Sequence, residues 1–133
     1  MIGIVIVSHG NLAAESLRIL EHIVGKQKNI ETISIESNDS INERRLDLLK
    51  SIENVDSGNG VIILSDMFGG TPSNIAISAL KKSKIEVIAG FNLPMLITLV
   101  SEREKSTLDS AINNAQDAGR KYITIASQVL DEK

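Results

Sequence analysis

Two polar side chains that can do chemistry each follow an apolar run that predicts a strand. His9 comes just after the run MIGIVIV, and Asp66 comes directly after the run Val61–Ser65. A neutral imidazole is a competent nucleophile toward phosphorus when one ring nitrogen is free and the other donates its proton to an acceptor. Asp66 could be that acceptor, and its charge would stabilise the cation formed when the ring takes on a phosphoryl group. The pair therefore predicts phosphoryl transfer through a histidine.

Glycine-rich segments beside both residues predict room for an anion. Gly10 follows the histidine, and Gly69 and Gly70 follow the aspartate, so the backbone can approach a ligand closely there. Helix starts are predicted near Asn11 and at Thr71-Pro72, with Thr71 as the N-cap and the proline at the first helical position. A helix start presents free N–H groups and about half a positive charge, which favours phosphate.

Each of these features also has a purely structural interpretation. A lone histidine after a strand often caps or packs, and an aspartate at a strand end is a common turn residue. The sequence Gly-Gly-Thr-Pro connects a loop to a helix without any ligand. What favours the chemical interpretation is that all of these features converge at one place in the predicted fold.

That fold follows from the alternation of strand and helix patterns along the chain. Strands are predicted over 1–7, 30–36, 61–65, 85–89 and 122–126; helical segments over 13–24, 41–55, 71–80, 95–100 and 106–118. The pattern predicts a doubly wound α/β domain, with a mainly parallel sheet of order about 2-1-3-4 and helices on both faces. In that order the first and third strands are neighbours, and a ligand crevice lies beyond their carboxyl ends. His9 and Asp66 should therefore share one crevice.

The last predicted strand, Tyr122–Ala126, stands apart from the others. It follows a long helical excursion, so it could add antiparallel at an edge of the sheet. Because a free edge is a pairing liability, it could instead reach a second subunit.

Composition and charge exclude several other classes of protein. The 133 residues suit a single domain, 1–133, with a core that is aliphatic because aromatic residues make up only 2%. The absence of cysteine excludes disulfides, thiolate zinc sites and iron–sulfur clusters. A net charge of −3 without a basic block argues against nucleic acid. No apolar run predicts a membrane span or a signal peptide, so we expect a soluble cytoplasmic protein.

Three segments taken together resemble the IIA component of the mannose family of the phosphoenolpyruvate-dependent sugar phosphotransferase system (PTS). They are Ile4–Gly10, Ser65–Asn74 and Gly90–Leu96, and the resemblance covers essentially the whole chain. It implies a phosphotransferase that carries a phosphoryl group between proteins. The donor would be the phosphohistidine of the small protein HPr, and the acceptor a histidine of the IIB component, which phosphorylates sugar entering through membrane IIC and IID partners.

The resemblance also implies roles for individual residues. His9 would be the phosphoacceptor and Asp66 would orient it. Thr71 and Ser73 lie where the family has small hydroxyl residues near the phosphoryl group. The phosphoryl-binding set expected here is therefore Gly10, Gly69, Gly70, Thr71 and Ser73.

The family further implies a homodimer whose last strands are exchanged, with no cofactor and no metal. Two differences from the family pattern are visible. Met67 and Phe68 stand where some members carry a tryptophan, which could alter docking with IIB. The chain stops soon after the last predicted strand, so we expect IIB to be a separate chain.

Two other functions remain open on the sequence alone. A response-regulator receiver would be phosphorylated on Asp66 with magnesium, but it needs an acidic pair where this chain has Ser8-His9, and a lysine where strand four ends at Ala89-Gly90. A regulatory IIA-like domain would use the same His9 and signal its phosphorylation state by binding other proteins. Onward transfer of the phosphoryl group to a IIB partner distinguishes transport from regulation.

Overall fold

The computed structural model describes residues 1–82 and 84–130. Within those ranges the sheet has four parallel strands in the order β2-β1-β3-β4. The strands are β1 (Gly3–His9), β2 (Ile30–Ile35), β3 (Val61–Ser65) and β4 (Ile85–Ala89). The helices are α1 (Leu12–Val24), α2 (Ile41–Val55), α3 (Thr71–Ile77), α4 (Leu93–Glu102), α5 (Leu108–Lys121) and α6 (Ala126–Leu130), with a 3₁₀ turn at Ser78–Lys81. The predicted α/β class and strand order are confirmed.

Alternating side chains of the strands bury two separate aliphatic layers. Successive residues of a strand point to opposite faces, so Ile4 and Ile6 pack with α1, α4 and α5, whereas Val5 and Val7 pack with α2 and α3. Helices therefore cover both faces, and polar groups collect at the ends of the strands. None of the helices in the described ranges is long and apolar enough to cross a membrane.

Helix α2 shows how the local sequence sets an element. Ser40 caps it, because its hydroxyl accepts the N–H of Glu43 at 3.3 Å. The helix then buries Leu48, Ile52 and Val55 against the sheet. Its first turn is thereby fixed beside the loop that follows β2, at the same edge of the sheet as His9.

The predicted strand Tyr122–Ala126 is wrong within the described chain. The N–H of Tyr122 bonds to Ala118 O and that of Ile123 to Arg120 O, which closes α5. The carbonyl of Ile125 accepts from Gln128 and Val129 and so begins α6. The alternation of Ile123 and Ile125 resembles a strand pattern, but the hydrogen bonds made by Tyr122, Ile123 and Ile125 belong to the ends of the two helices, and no strand forms here in the described chain.

The remaining differences are shifts of boundary. The apolar segment predicted over 95–100 is the middle of α4, which Asn92 caps by accepting the N–H of Met95 at 3.0 Å. In α5, which extends beyond the predicted range 106–118 to Lys121, the buried positions are Ala111, Ala115 and Gly119. Small residues there let α5 approach α4 closely, and a Cβ at Gly119 would lie 2.8 Å from Met95 Cε.

Replacing the buried leucine of α2 should cost far more stability than replacing its exposed neighbour. Leu48 is fully buried, whereas Leu46 is 65% exposed on the same helix. We expect Leu48→Ala to lower the free energy of unfolding by about 2–5 kcal/mol, through lost burial and a cavity, and Leu46→Ala by no more than about 0.5 kcal/mol. Urea denaturation of both variants measures this. Equal losses would contradict the orientation of α2.

Candidate active site

Strand register brings the ends of β1 and β3 side by side. Val7 pairs with Ser65 in the parallel ladder, so His9 stands two residues beyond this pair and Asp66 one residue beyond it. His9 is the last residue of β1, and its backbone position is set by pairing with Ile35 of β2. The predicted meeting of the two side chains follows from sheet topology, because parallel strands all end at one edge.

The carboxylate of Asp66 accepts three hydrogen bonds that tie the two strand ends together. Its Oδ2 accepts the backbone N–H of His9 at 2.9 Å and lies 2.8 Å from Nδ1 of the same residue. Its Oδ1 accepts the N–H of Met67 at 2.9 Å. A carboxylate only accepts, so Nδ1 carries the proton. The imidazole is thus held at one nitrogen, and Nε2 has no hydrogen-bond partner within the described ranges.

Solvent exposure differs sharply between the two partners. The side chain of His9 is 54% exposed, whereas that of Asp66 is only 11% exposed. Burial by itself would raise the pKa of Asp66, but the hydrogen bonds from His9 and Met67 and the charge of the His9 ring outweigh it and hold the pKa below its ordinary value. Asp66 is therefore a largely covered carboxylate anion behind an accessible ring.

Ser8 completes the turn from β1 into α1 and was missed by the sequence analysis. Its hydroxyl is fully buried, accepts the N–H of Ala13 at 2.7 Å and donates to the carbonyl of Gly10 at 3.3 Å. Asn11, predicted near the helix start, occupies the N-cap position without a capping side-chain bond. The preference of serine for helix starts was the available signal, but Ser8 lies several residues before the helix.

The loop between β3 and α3 packs directly against the imidazole. A Cβ at Gly70 would lie 3.0 Å from Cε1 and 3.3 Å from Nε2 of His9, so glycine leaves the free nitrogen uncovered. Gly70 itself is the N-cap of α3 and Thr71 is the first helical residue, so the helix begins one residue earlier than predicted. The buried hydroxyl of Ser73 accepts the N–H of Gly69 at 2.9 Å and donates to the carbonyl of Gly70 at 3.0 Å, which shapes the loop.

A cavity of about 350 Å³ opens beside His9 toward the first turn of α2. Gly10 and Thr71 border it, and so do Asp39 and Arg44 from the region that follows β2. Its apolar lining comes from Ile35, Ile41 and Ile75.

The structure brings the predicted site residues together in three ways. His9, Gly10 and Thr71 meet at this cavity. Asp66 and Gly70 contact the ring, and Gly69 and Ser73 support the loop. Across 1–82 and 84–130, no group of three or more His, Asp or Glu side chains is arranged to hold a metal ion.

The lowered pKa of Asp66 predicts a pH-dependent contribution to stability. A carboxyl group whose pKa is lower in the folded than in the unfolded protein stabilises the fold above its unfolded pKa, and this contribution is lost as the pH falls through the folded pKa. We expect Asp66→Asn to lower the free energy of unfolding by about 1–2 kcal/mol at pH 7, and the difference to shrink below about pH 4. Urea denaturation across pH measures it, with Asp117→Asn on the exposed side of α5 as the control. A difference independent of pH would contradict the account.

Comparison with known proteins places this chain in a family. A model of the EIIA-man family, described as the PTS system fructose IIA component, matches residues 3–116. The fructose-specific EIIA component of Bacillus subtilis is 26% identical over 99% of this chain and 91% of its own length. The mannose-specific EIIAB component of Escherichia coli is 32% identical over 92% of this chain, which spans only 38% of that larger protein.

Solved structures share the whole architecture. A crystal structure of the phosphotransferase system component EIIA from Streptococcus agalactiae superposes with a TM-score of 0.86 at 28% identity, covering 96% of this chain and 99% of that one. The family match spans β1, β3, the loops that carry His9 and Asp66, and most of α5. The phosphocarrier role expected from the sequence is therefore supported, and the receiver alternative is not. This chain belongs to the mannose-type EIIA family, the IIA phosphotransferase components of the sugar PTS.

Proposed function

We propose that His9 is the phosphoacceptor and that it attacks phosphorus through Nε2. The observation that carries this proposal is the 2.8 Å contact between Nδ1 and Asp66 Oδ2. With Nδ1 protonated and held, the lone pair of the neutral ring lies on Nε2. Asp66 acts as the residue that orients the ring, and its charge favours the cationic character that the ring gains when Nε2 is phosphorylated.

The transfer requires no cofactor and no net proton movement. The bond between phosphorus and the donor histidine nitrogen breaks while a bond from phosphorus to Nε2 of His9 forms, and the donor nitrogen recovers its electron pair. His9 keeps its Nδ1 proton throughout, hydrogen-bonded to Asp66. Phosphoryl transfer of this kind depends mainly on position and on donors near the phosphoryl oxygens.

The phosphoryl group would occupy the space that opens beside Nε2. Gly10 and Thr71 border that space, and the missing side chain of Gly70 leaves the nitrogen accessible. We assign Gly69 and Ser73 a supporting part, because the hydrogen bonds between them hold the loop against the ring. The five residues thus form one phosphoryl-binding region, in which three face the group and two shape the backbone.

The partners proposed are phospho-HPr as donor and a IIB component as acceptor, with membrane IIC and IID components downstream. The phosphoryl transfer would then take place in the cytoplasm. Family membership supports them. The half-exposed ring of His9 is open to a protein rather than enclosed for a small molecule. Met67 and Phe68 directly follow Asp66 in the chain, are 54% and 76% exposed, and offer apolar surface that a docking partner would cover.

Phosphorylation of His9 is tested by incubating the protein with phosphoenolpyruvate, enzyme I and HPr and measuring the intact mass. We expect the parent protein to gain one phosphoryl group that is labile to acid and stable to base, and His9→Ala to gain none. The control is His22→Ala, which removes an exposed histidine of α1 and should gain the full amount. Asp66→Asn should slow the transfer about 10- to 100-fold, because the ring loses its fixed tautomer. Phosphorylation of His9→Ala would contradict the proposal. Onward transfer to IIB supports transport, and retention of the group favours regulation.

We further propose that the protein forms a homodimer through its C-terminal segment. Tyr122, Ile123, Ile125, Val129 and Leu130 are all exposed large apolar residues within a short stretch of chain. Ile123 lines a small cavity with Ala89 and Gly90, so the segment leaves α5 beside β4, an edge strand of the sheet. An open edge next to exposed alternating isoleucines is suited to pairing with a second copy.

Sedimentation velocity measures this association. We expect a species of twice 14.4 kDa, and dissociation in Ile123→Asp/Ile125→Asp, which places charges in the proposed contact. The control is Leu46→Asp, at an exposed position of α2, and it should sediment as the parent protein does. A concentration-independent monomer of 14.4 kDa would overturn the dimer.

A further inference from the structure

Arg44 stands out among the cavity residues because the phosphocarrier chemistry described so far makes no use of it. It lies in the first turn of α2, where its N–H bonds to Ser40 O at 3.1 Å. Its side chain lines the same cavity of about 350 Å³ as His9 and Thr71. It is the one arginine or lysine among the described residues that border this cavity, and it is only 26% exposed.

The guanidinium of Arg44 is surrounded by acids yet poorly bonded to them. Its Nη1 donates to Asp39 Oδ2 at 3.5 Å, at the limit of a hydrogen bond. Its Nε lies 3.0 Å from Asp47 Oδ2 without forming a hydrogen bond, and its Nη2 lies 3.7 Å from Glu43 Oε2. A guanidinium has five N–H donors, so most of the N–H groups of Arg44 donate no hydrogen bond within the described ranges.

Asp39, by contrast, is well satisfied without Arg44. Its Oδ2 accepts the backbone N–H of Glu36 at 2.8 Å, and its own N–H bonds to Glu36 O at 3.1 Å. The loop after β2 therefore keeps its shape if Arg44 moves away. The ion pair between Arg44 and Asp39 costs little to break, because partly exposed pairs contribute only about 0–1 kcal/mol.

We propose that Arg44 binds the phosphoryl group carried by His9 and exchanges its weak contact with Asp39 for a paired contact with phosphoryl oxygens. A phosphoryl group carries up to two negative charges and presents three acceptor oxygens. A planar guanidinium can donate to two such oxygens at once, whereas the one hydrogen bond among its contacts with the three acids is the 3.5 Å bond to Asp39. Arg44 would thus stabilise the phosphorylated state selectively, with Asp39 holding it near the cavity beforehand. The inference rests on the proposed phosphorylation of His9.

The test measures the equilibrium constant for phosphoryl exchange between HPr and this protein. Fixed ratios of phospho-HPr to HPr are mixed with each variant, and the phosphorylated fraction is read by intact mass. We expect Arg44→Gln to lower the constant about five- to tenfold. Arg45→Gln is the matched control, because Arg45 is the next residue, bonds to Asn42 and does not line the cavity. It should stay within about twofold.

A second readout separates binding from a merely structural role. A guanidinium bound to the phosphoryl group favours its dianion, so the ³¹P titration of the phosphohistidine should move to higher pH in Arg44→Gln and stay in place in Arg45→Gln. The other titratable groups that border the cavity are His9, Glu36 and Asp39, with Asp66 behind the ring, and all are kept in both variants. Should Arg44→Gln not fold, Arg44→Lys is the alternative. We expect it to lower the exchange constant by a smaller factor, because lysine keeps the charge but cannot donate to two phosphoryl oxygens from one planar group.

The competition with Asp39 gives an effect of opposite sign. Asp39→Asn keeps an oxygen to accept the Glu36 N–H but releases Arg44, so it should raise the exchange constant, and this gain should shrink in the Asp39→Asn/Arg44→Gln double variant. Arg44→Gln could leave both the exchange constant and the ³¹P titration unchanged while the parent protein is phosphorylated normally. That result would overturn the proposed role of Arg44 and leave the proposed function in place. A parent protein that takes no phosphoryl group from HPr would overturn the proposed function itself.

Discussion

The carboxylate of Asp66 bonds both to the backbone and to the ring of His9, and the rest of the site depends on this double contact. The bond to the N–H of His9 at 2.9 Å fixes where β1 ends relative to β3. The bond to Nδ1 at 2.8 Å fixes the ring and its tautomer. The same side chain therefore holds both the end of β1 and the ring of His9, so a change at the strand end also moves the proposed nucleophile.

The sheet makes that contact possible, because strand order decides which loops can meet. In the order β2-β1-β3-β4 the chain segments around positions 9 and 66 become neighbours although 57 residues separate them. Aliphatic layers on both faces hold the strands in register, so the polar side chains of the site lie at the strand ends. The same edge receives the first turns of α2 and α3, so a glycine, a threonine and an arginine from distant parts of the chain border one cavity.

Much of this arrangement could be predicted from the sequence. Unbroken aliphatic runs indicated β1 and β3, and the predicted bounds 61–65, 85–89 and 41–55 agree with the structure. Alternation of strands and helices indicated the parallel order, which in turn brought His9 and Asp66 together. The strength of these signals is physical, since a strand buried on both faces tolerates few polar residues.

The parts that could not be predicted depend on contacts that a linear pattern does not contain. Ser8 caps α1 across a turn, and only the three-dimensional path of Gly10 and Asn11 reveals it. Nothing in the sequence pattern distinguishes Arg44 from the other charged residues of α2, and only the fold places it at the cavity. The segment after α5 has a strand pattern, but its backbone groups close two helices instead.

The tautomer of His9 tests the central claim most directly. Long-range ¹H–¹⁵N spectra of the ring, recorded on the unphosphorylated protein at a pH where the ring is neutral, report which nitrogen carries the proton. The account predicts a protonated Nδ1 and an unprotonated Nε2, with this preference weakened in Asp66→Asn. A proton on Nε2 in the parent protein would contradict it, because the exposed nitrogen would then have no lone pair to offer phosphorus.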